Sequence, residues 1–156
     1  LLVTDEGKEE ETVTRLSRVG FDNILGHLKG GFGAWLASGK EADVVDRITA
    51  AQFEKQLTIG VDKVIDIRKE TEYAAEHIPA ADNKPLADIN NWIKDINPEA
   101  HFYIHCGGGY RSMIASSILQ ARGYRNFTEI EGGFKAIAET TLPKTDYVCQ
   151  SKVMKA

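Results

Sequence analysis

The residues best suited to chemistry lie together: Cys106, Gly107, Gly108, Gly109, Tyr110, Arg111 and Ser112. A thiol followed by a glycine run is an arrangement for a nucleophile. Phe102–His105 before it read as a short buried strand, and from Ser112 a helical pattern carries Ile114, Ile118 and Leu119 on a core-facing side. Strand, glycine loop and helix N-terminus make a cup of backbone N–H groups that attracts an anion. A cysteine at its mouth is expected to have a lowered pKa and to sit as thiolate.

Composition sets the limits around this loop. The chain has 156 residues, enough for about one ordinary domain with some left over. A hydrophobic fraction of 42% and a charged fraction of 27% are those of a soluble globular protein. Apolar runs fall far short of a membrane span, and no charged-then-apolar leader opens the chain. The net charge of −4 gives no case for nucleic acid or a membrane surface as partner. Two cysteines, Cys106 and Cys149, are too few for a disulfide framework and point to a reducing, cytoplasmic setting. Cys149 reads as an incidental residue of the tail.

The elements that must position the loop occur in part twice. LLVT opens the chain as a strand, followed by an acidic stretch and a helical pattern with Val13, Leu16 and Val19 on one side, closed by Gly20. Residues 21–36 then give a short strand and a Gly-Gly turn into a helix bearing Phe32, Trp35 and Leu36. Aligned with residues 102–137, Gly20 falls on Gly123, Phe21 on Tyr124, Asn23 on Asn126, and Gly30-Gly31-Phe32 on Gly132-Gly133-Phe134. Residues 1–45 therefore read as the C-terminal half of a degenerate repeat cut from a longer protein. Asp5 stands near the nucleophile position, and Glu6, Glu9, Glu10 and Glu11 would repel an anion there, so this half is expected to be inactive. Its uncovered apolar surface is expected to pack on the second unit or on a second copy, the latter giving a homodimer.

Residues 38–48 read as a linker, residues 46–140 as a complete unit, and 141–156 as a weakly specified tail. Thr49 caps a helix carrying Phe53 and Leu57. Lys63–Arg68 is a β-branched strand, and residues 71–76 form a short helix. A short strand near Ala81 precedes a helix capped near Asp88. After the Cys106 strand and its helix come a strand at residues 126–130 and a last helix from Phe134. Strands alternating with helices predict an α/β fold with a parallel sheet covered on both faces.

This unit resembles a rhodanese domain, the sulfurtransferase module. VIDIRKETEYAAEHIPAA is similar to that family's D-x-R strand end followed by E-Y-x-x-x-H-I-P-x-A, carried here by Asp66, Arg68, Glu72, Tyr73, His77, Ile78, Pro79 and Ala81. CGGGYRS resembles its active-site loop and EGGF its closing turn. Asn83 and Lys84 stand where the family usually has an apolar residue before Pro85-Leu86. The two-copy arrangement is similar to proteins that fuse a metallo-β-lactamase-fold domain to tandem rhodanese units. That domain, with its H-x-H-x-D-H metal motif, would lie upstream and outside this sequence, and no metal is expected here.

The resemblance implies sulfur transfer with Cys106 as nucleophile, no cofactor beyond a covalent cysteine persulfide, and a small sulfur donor and thiol acceptor as partners. Backbone N–H groups from Gly107 through Ser112 would stabilise the persulfide charge, and the glycines supply angles that a Cβ would obstruct. Arg111 either braces the loop or binds an anionic donor, and Tyr110 either rims the pocket or covers the next helix. Asp66 and Arg68 are expected to brace the backbone from beneath. His77 reads as hydrogen-bonded structure, and His105 points to the opposite face from Cys106. Trp35 and Trp92 read as core or interface aromatics. Cysteine phosphatases use a similar loop with five residues between Cys and Arg; this one has four, Gly107–Tyr110. The narrower cup favours a single sulfur atom over a phosphate. A sulfur carrier or regulatory module without turnover would have the same loop.

Overall fold

In the unit from Val45 onward, β-branched and aromatic runs build five short parallel strands, and the intervening segments build helices on both sides of them. The computed structural model describes residues 1–18, 20–57 and 63–149. Val19 and the end of the tail lie outside the described residues. The strands are β1 (Arg47–Ile48), β2 (Val64–Asp66), β3 (Ala81–Asn83), β4 (Phe102–His105) and β5 (Phe127–Ile130), in the order β1-β5-β4-β2-β3. All four pairings are parallel, with Asp66 opposite His105 and Ile104 opposite Glu129.

The pleat sorts successive residues to two cores. Ile65, Phe102, Ile104, Cys106 and Phe127 face one cluster with Trp92, Ala115 and Leu119. Val64, Tyr103 and Ile130 face the other, with Phe53, Phe134 and Ile137. The first cluster is covered by α5 (Ile89–Trp92, flanked by 3-10 turns) and α6 (Tyr110–Ala121). The second is covered by α3 (Ala50–Leu57) and α7 (Gly133–Ala138). α4 (Glu70–Ala75) joins β2 to β3. Thr49 closes a reciprocal cap at the start of α3: its Oγ1 accepts from Gln52 N at 3.2 Å, while Gln52 Oε1 accepts from Thr49 N at 2.9 Å.

Four expectations for the unit from Val45 onward are corrected. Ile114 is 39% exposed; α6 instead buries Ser112, Ala115, Ser116 and Leu119, because small side chains let the helix approach the sheet closely. α6 also begins at Tyr110, two residues ahead of Ser112. Residues 47–48 are not linker but the edge strand β1, held by Glu129 N donating to Asp46 O at 2.8 Å. The near part of the tail is strapped down: Leu142 is buried, and Thr145 N and Val148 N donate to the carbonyls of His77 and Ala75.

Residues 1–44 form a separate compact unit. Leu2 pairs with His27 in a single parallel bridge, α1 is Glu9–Ser17 and α2 is Gly31–Ala37. Among its described residues only Gly31 is buried, and Val13, expected on an inward face, is 38% exposed because α1 has no core to meet within this unit. Trp35 is half-buried and donates from Nε1 to Glu41 O at 2.8 Å, whereas Trp92 lies in the core. Among the described residues no helix is long and apolar enough to cross a membrane.

Candidate active site

Strand β4 delivers Cys106 to the C-terminal edge of the sheet, where Gly107–Gly109 turn the chain into α6. The turn needs glycine at Gly109, whose φ is +98°. A second glycine need arises from behind. Gly133, at φ +56°, packs so tightly beneath the loop that an added Cβ would lie 2.3 Å from Cys106 O. That closeness lets the first turn of α7 hold the loop's carbonyls: Phe134 N donates to Cys106 O at 2.6 Å and Lys135 N to Gly107 O at 3.0 Å.

With its carbonyls bound behind, the loop turns N–H groups forward. Gly109 N donates to Cys106 Sγ at 3.2 Å, and the Ser112 hydroxyl lies 3.5 Å from the same sulfur. Burial pushes the Cys106 thiol up. The Ser112 hydroxyl, when its proton turns to Sγ, and the N–H groups of Ser112, Gly108 and Gly109 outweigh it and hold the thiol below its ordinary value. The sulfur is therefore a nucleophile in an anion-stabilising cup.

Arg111 braces the loop. Its guanidinium donates to both oxygens of Glu72 in α4, at 2.6 and 2.8 Å, and Gly107 sits against the pair, its Cβ position 2.9 Å from Arg111 Nη2. The Arg111 bonds hold the Glu72 carboxyl below the usual carboxylate range. Asp66 and Arg68 form a buried ion pair below the loop, with Arg68 Nη2 to Asp66 Oδ2 at 2.6 Å. Arg68 also donates to Glu76 O at 2.9 Å and lies 3.9 Å over the Phe134 ring. Asn83, at the departure from the family pattern, ties this bend together by donating to both Asp66 O and Arg68 O at 3.0 Å.

Tyr110 is 80% exposed at the rim, and Gly108 has open space around it. His105 is buried on the opposite face with Nδ1 3.2 Å from Cys106 O; burial lowers its pKa and keeps the ring neutral. His77 stacks on Tyr73 at 3.7 Å, with its Nδ1 2.8 Å from Tyr73 O. A cavity of about 280 Å³ opens beside Arg111, walled by Ile67, Pro85, Leu86 and Ala87, with Lys69 at its edge. Cys149 is exposed and lies outside this group.

Two site residues escaped the sequence reading. Glu72 belongs to the family motif, and its signal is a motif carboxylate in need of a cation. Glu129 is fully buried on β5, accepts from Ser112 Oγ at 2.5 Å and pairs with Arg47 Nε at 2.9 Å. No sequence signal marks it, because register alone carries it beneath the loop.

The rhodanese-like domain family matches residues 49–140. The chain belongs to that family. It is 31% identical over 80 residues to the thiosulfate sulfurtransferase GlpE of Pseudomonas fluorescens, covering 51% of this chain and 72% of that protein. It is 30% identical over 77 residues to the HTH-type transcriptional regulator Rv0324 of Mycobacterium tuberculosis, covering 49% of this chain. The chain spans only 34% of the length of Rv0324 and 54% of that of another relative. Among solved structures, the rhodanese-like domain protein of Staphylococcus aureus superposes with a TM-score of 0.58 at 28% identity, covering 64% of this chain and 97% of that one.

Proposed function

We propose that Cys106 accepts a sulfane sulfur from thiosulfate or a low-molecular-weight persulfide and passes it to a thiol or cyanide. The observation that carries this reading is the four-residue loop between Cys106 and Arg111, whose N–H groups converge on one sulfur atom. The thiolate attacks the donor's outer sulfur; the new S–S bond forms as the donor's bond to that sulfur breaks, and sulfite or a thiolate leaves with the electron pair. The persulfide anion then sits where the backbone N–H groups point. An acceptor attacks its terminal sulfur and returns Cys106 to thiolate. Gly107, Gly108, Gly109 and Ser112 bind the transferred sulfur, Tyr110 rims the entrance, and Arg111, held by Glu72, keeps the loop in shape. The apolar cavity beside Arg111 suits the organic body of a persulfide or thiol.

Residues 1–45 on this proposal are the back half of a second, inactive rhodanese-like unit. Two parallels support it. The bridge Leu2–His27 has the same 25-residue spacing as the pair Ile104–Glu129, and Gly31 crowds Thr4 O at 2.3 Å as Gly133 crowds Cys106 O.

Intact mass spectrometry after incubation with thiosulfate or glutathione persulfide tests the sulfur step. A gain of about 32 Da that is absent in Cys106→Ser is expected. Discharge of that adduct by cyanide with turnover identifies an enzyme. Stable loading without turnover identifies a carrier or regulatory module, a reading that the likeness to a transcriptional regulator favours. No adduct together with hydrolysis of an aryl phosphate would move the site to phosphate chemistry.

A further inference from the structure

A buried carboxylate directly behind an anion cup calls for an explanation. Glu129 is fully buried, and its Oε1 lies 3.9 Å from the Cβ position of Gly109. A negative charge there opposes the thiolate and the persulfide that the cup is built to hold. Arg47, 39% exposed at the sheet edge, compensates it from the far side through Nε, and shares its Nη1 with Glu131 at 3.3 Å.

The Ser112 hydroxyl stands between the two anionic groups and has one proton to give. Three acceptors compete for that proton: Glu129 Oε1 at 2.5 Å, Gly109 O at 2.9 Å and Cys106 Sγ at 3.5 Å. The bond to the carboxylate is the shortest, as a charge-assisted bond should be. With its proton on Glu129, Ser112 Oγ shows only lone pairs to the sulfur. That suits a thiol, whose S–H can donate to Oγ, and repels a thiolate. The hydroxyl helps Cys106 ionise only by rotating off Glu129 and onto Sγ.

We propose that Glu129 is a positioning residue that governs the ionisation of Cys106 by holding the Ser112 hydroxyl, with Arg47 setting how firmly it holds. This deepens the reading of Cys106 as the sulfur-bearing residue and rests on it. Other charged groups near the loop are Asp66 and Arg68 from β2 and its bend, Glu72 from α4, His105 on β4 and Arg111 on α6. None of these contacts the Ser112 hydroxyl.

Substitution of either charge should move Cys106 in opposite directions. In Glu129→Gln, Arg47 Nε still needs an acceptor and takes the amide oxygen. The amide N–H then turns to Ser112 Oγ, and the hydroxyl proton is left to Sγ and Gly109 O, of which only the sulfur gains charge that strengthens the bond. In Arg47→Lys the carboxylate keeps its counter-charge but loses the Nε bond, and leans more on the Ser112 hydroxyl.

The test is the rate of carbamidomethylation of Cys106 by iodoacetamide as a function of pH, in the 156-residue chain carrying Cys149→Ser. Iodoacetamide is neutral, so anion binding does not enter. Glu129→Gln is expected to move the profile down by about one pH unit, making modification about tenfold faster below the midpoint. Arg47→Lys is expected to move it up. In a Ser112→Ala background, adding Glu129→Gln should leave the profile where it was. A folded Glu129→Gln protein with an unmoved profile overturns the proposal. So does a downward shift that persists without Ser112, since Glu129 would then act through space. If Glu129→Gln does not fold, Arg47→Lys at its half-exposed position decides alone, and an unmoved or lowered profile counts against the proposal. Absence of sulfur loading in every variant, with the alkylation shifts intact, would sink the sulfur reading and leave the hydroxyl mechanism standing.

Discussion

Residues 2–31 and residues 104–133 wind nearly the same backbone. In each, a strand enters a loop and a helix, and a glycine near φ +90° ends the helix: Gly20 at +90° and Gly123 at +88°. The next residue then reaches back, Phe21 N to Leu16 O and Tyr124 N to Leu119 O, both at 3.0 Å. Each segment finishes with a Gly-Gly turn whose second glycine presses on a carbonyl of the loop, Thr4 O or Cys106 O. The geometric counterpart of the nucleophile is thus Thr4, one residue before the expected Asp5. The contents of the two cups differ completely. The first unit has a cavity of about 530 Å³ lined by Thr4, Asp5, Lys8, Glu11 and Arg15 among others, and its helix starts with Glu9, Glu10 and Glu11. The second has a sulfur, three glycines and an arginine tied to a carboxylate in α4. A strand, loop and helix make a cup; a site needs also the right atom at its mouth and bracing from the preceding β2–α4 segment.

The contrast is broken most directly at the mouth. Cys106→Ser should abolish sulfur loading, a loss of about a thousandfold or more, and Thr4→Cys should gain none. A sulfur adduct on Thr4→Cys, read by intact mass, would mean that the first cup is merely missing its atom. Next come the two crowded glycines. Gly133→Ala should cost about 3 kcal/mol, read by urea unfolding, and suppress loading, because its Cβ meets a backbone carbonyl at a strained φ. Gly31→Ala meets the equivalent clash yet should leave loading intact.

A smaller effect is expected at the braces. Glu72→Gln removes one side of a bidentate, partly buried pair and should slow loading by about tenfold, read by stopped-time mass spectrometry. Glu11→Gln breaks exposed pairs with Lys8 and Arg15 and should do nothing measurable. The smallest effect is on acid stability. The pKa of His105 is lowered by burial, so the unfolded chain binds its proton first as pH falls below the ordinary histidine range. That group contributes stability above this range and loses it below, with a slope of at most about 1.4 kcal/mol per pH unit. His105→Gln should flatten this slope in urea titrations between neutral and mildly acid pH.

The loop was legible in the sequence because its chemistry is local: Cys106, the glycines, Arg111 and Ser112 are neighbours along the chain as well as in space. The fold class was legible because buried parallel strands leave β-branched runs such as Val64-Ile65. What stayed hidden depends on distance along the chain. Glu129 meets Ser112 across 17 positions, Glu72 meets Arg111 across 39, and Arg47 meets Glu129 across 82. Those meetings follow from strand register and from where the helices lie on the sheet, which no single stretch contains. A two-residue strand such as β1 has no periodicity to read. Ile114 lies outward although it is hydrophobic, because a helix lying close to a sheet selects small residues at the contact.

The two bonds from Phe134 N and Lys135 N to the carbonyls of Cys106 and Gly107 have a further consequence. Peptide units that are clamped from behind cannot flip when the charge at the sulfur comes or goes. The Gly108 N–H, carried by the clamped Gly107 peptide, therefore keeps its aim at the sulfur whatever charge the sulfur bears. A receptacle that relaxed around its cargo would hold it ever more tightly. On the proposed sulfur reading, one whose walls stay put would lend sulfur as readily as it borrows it.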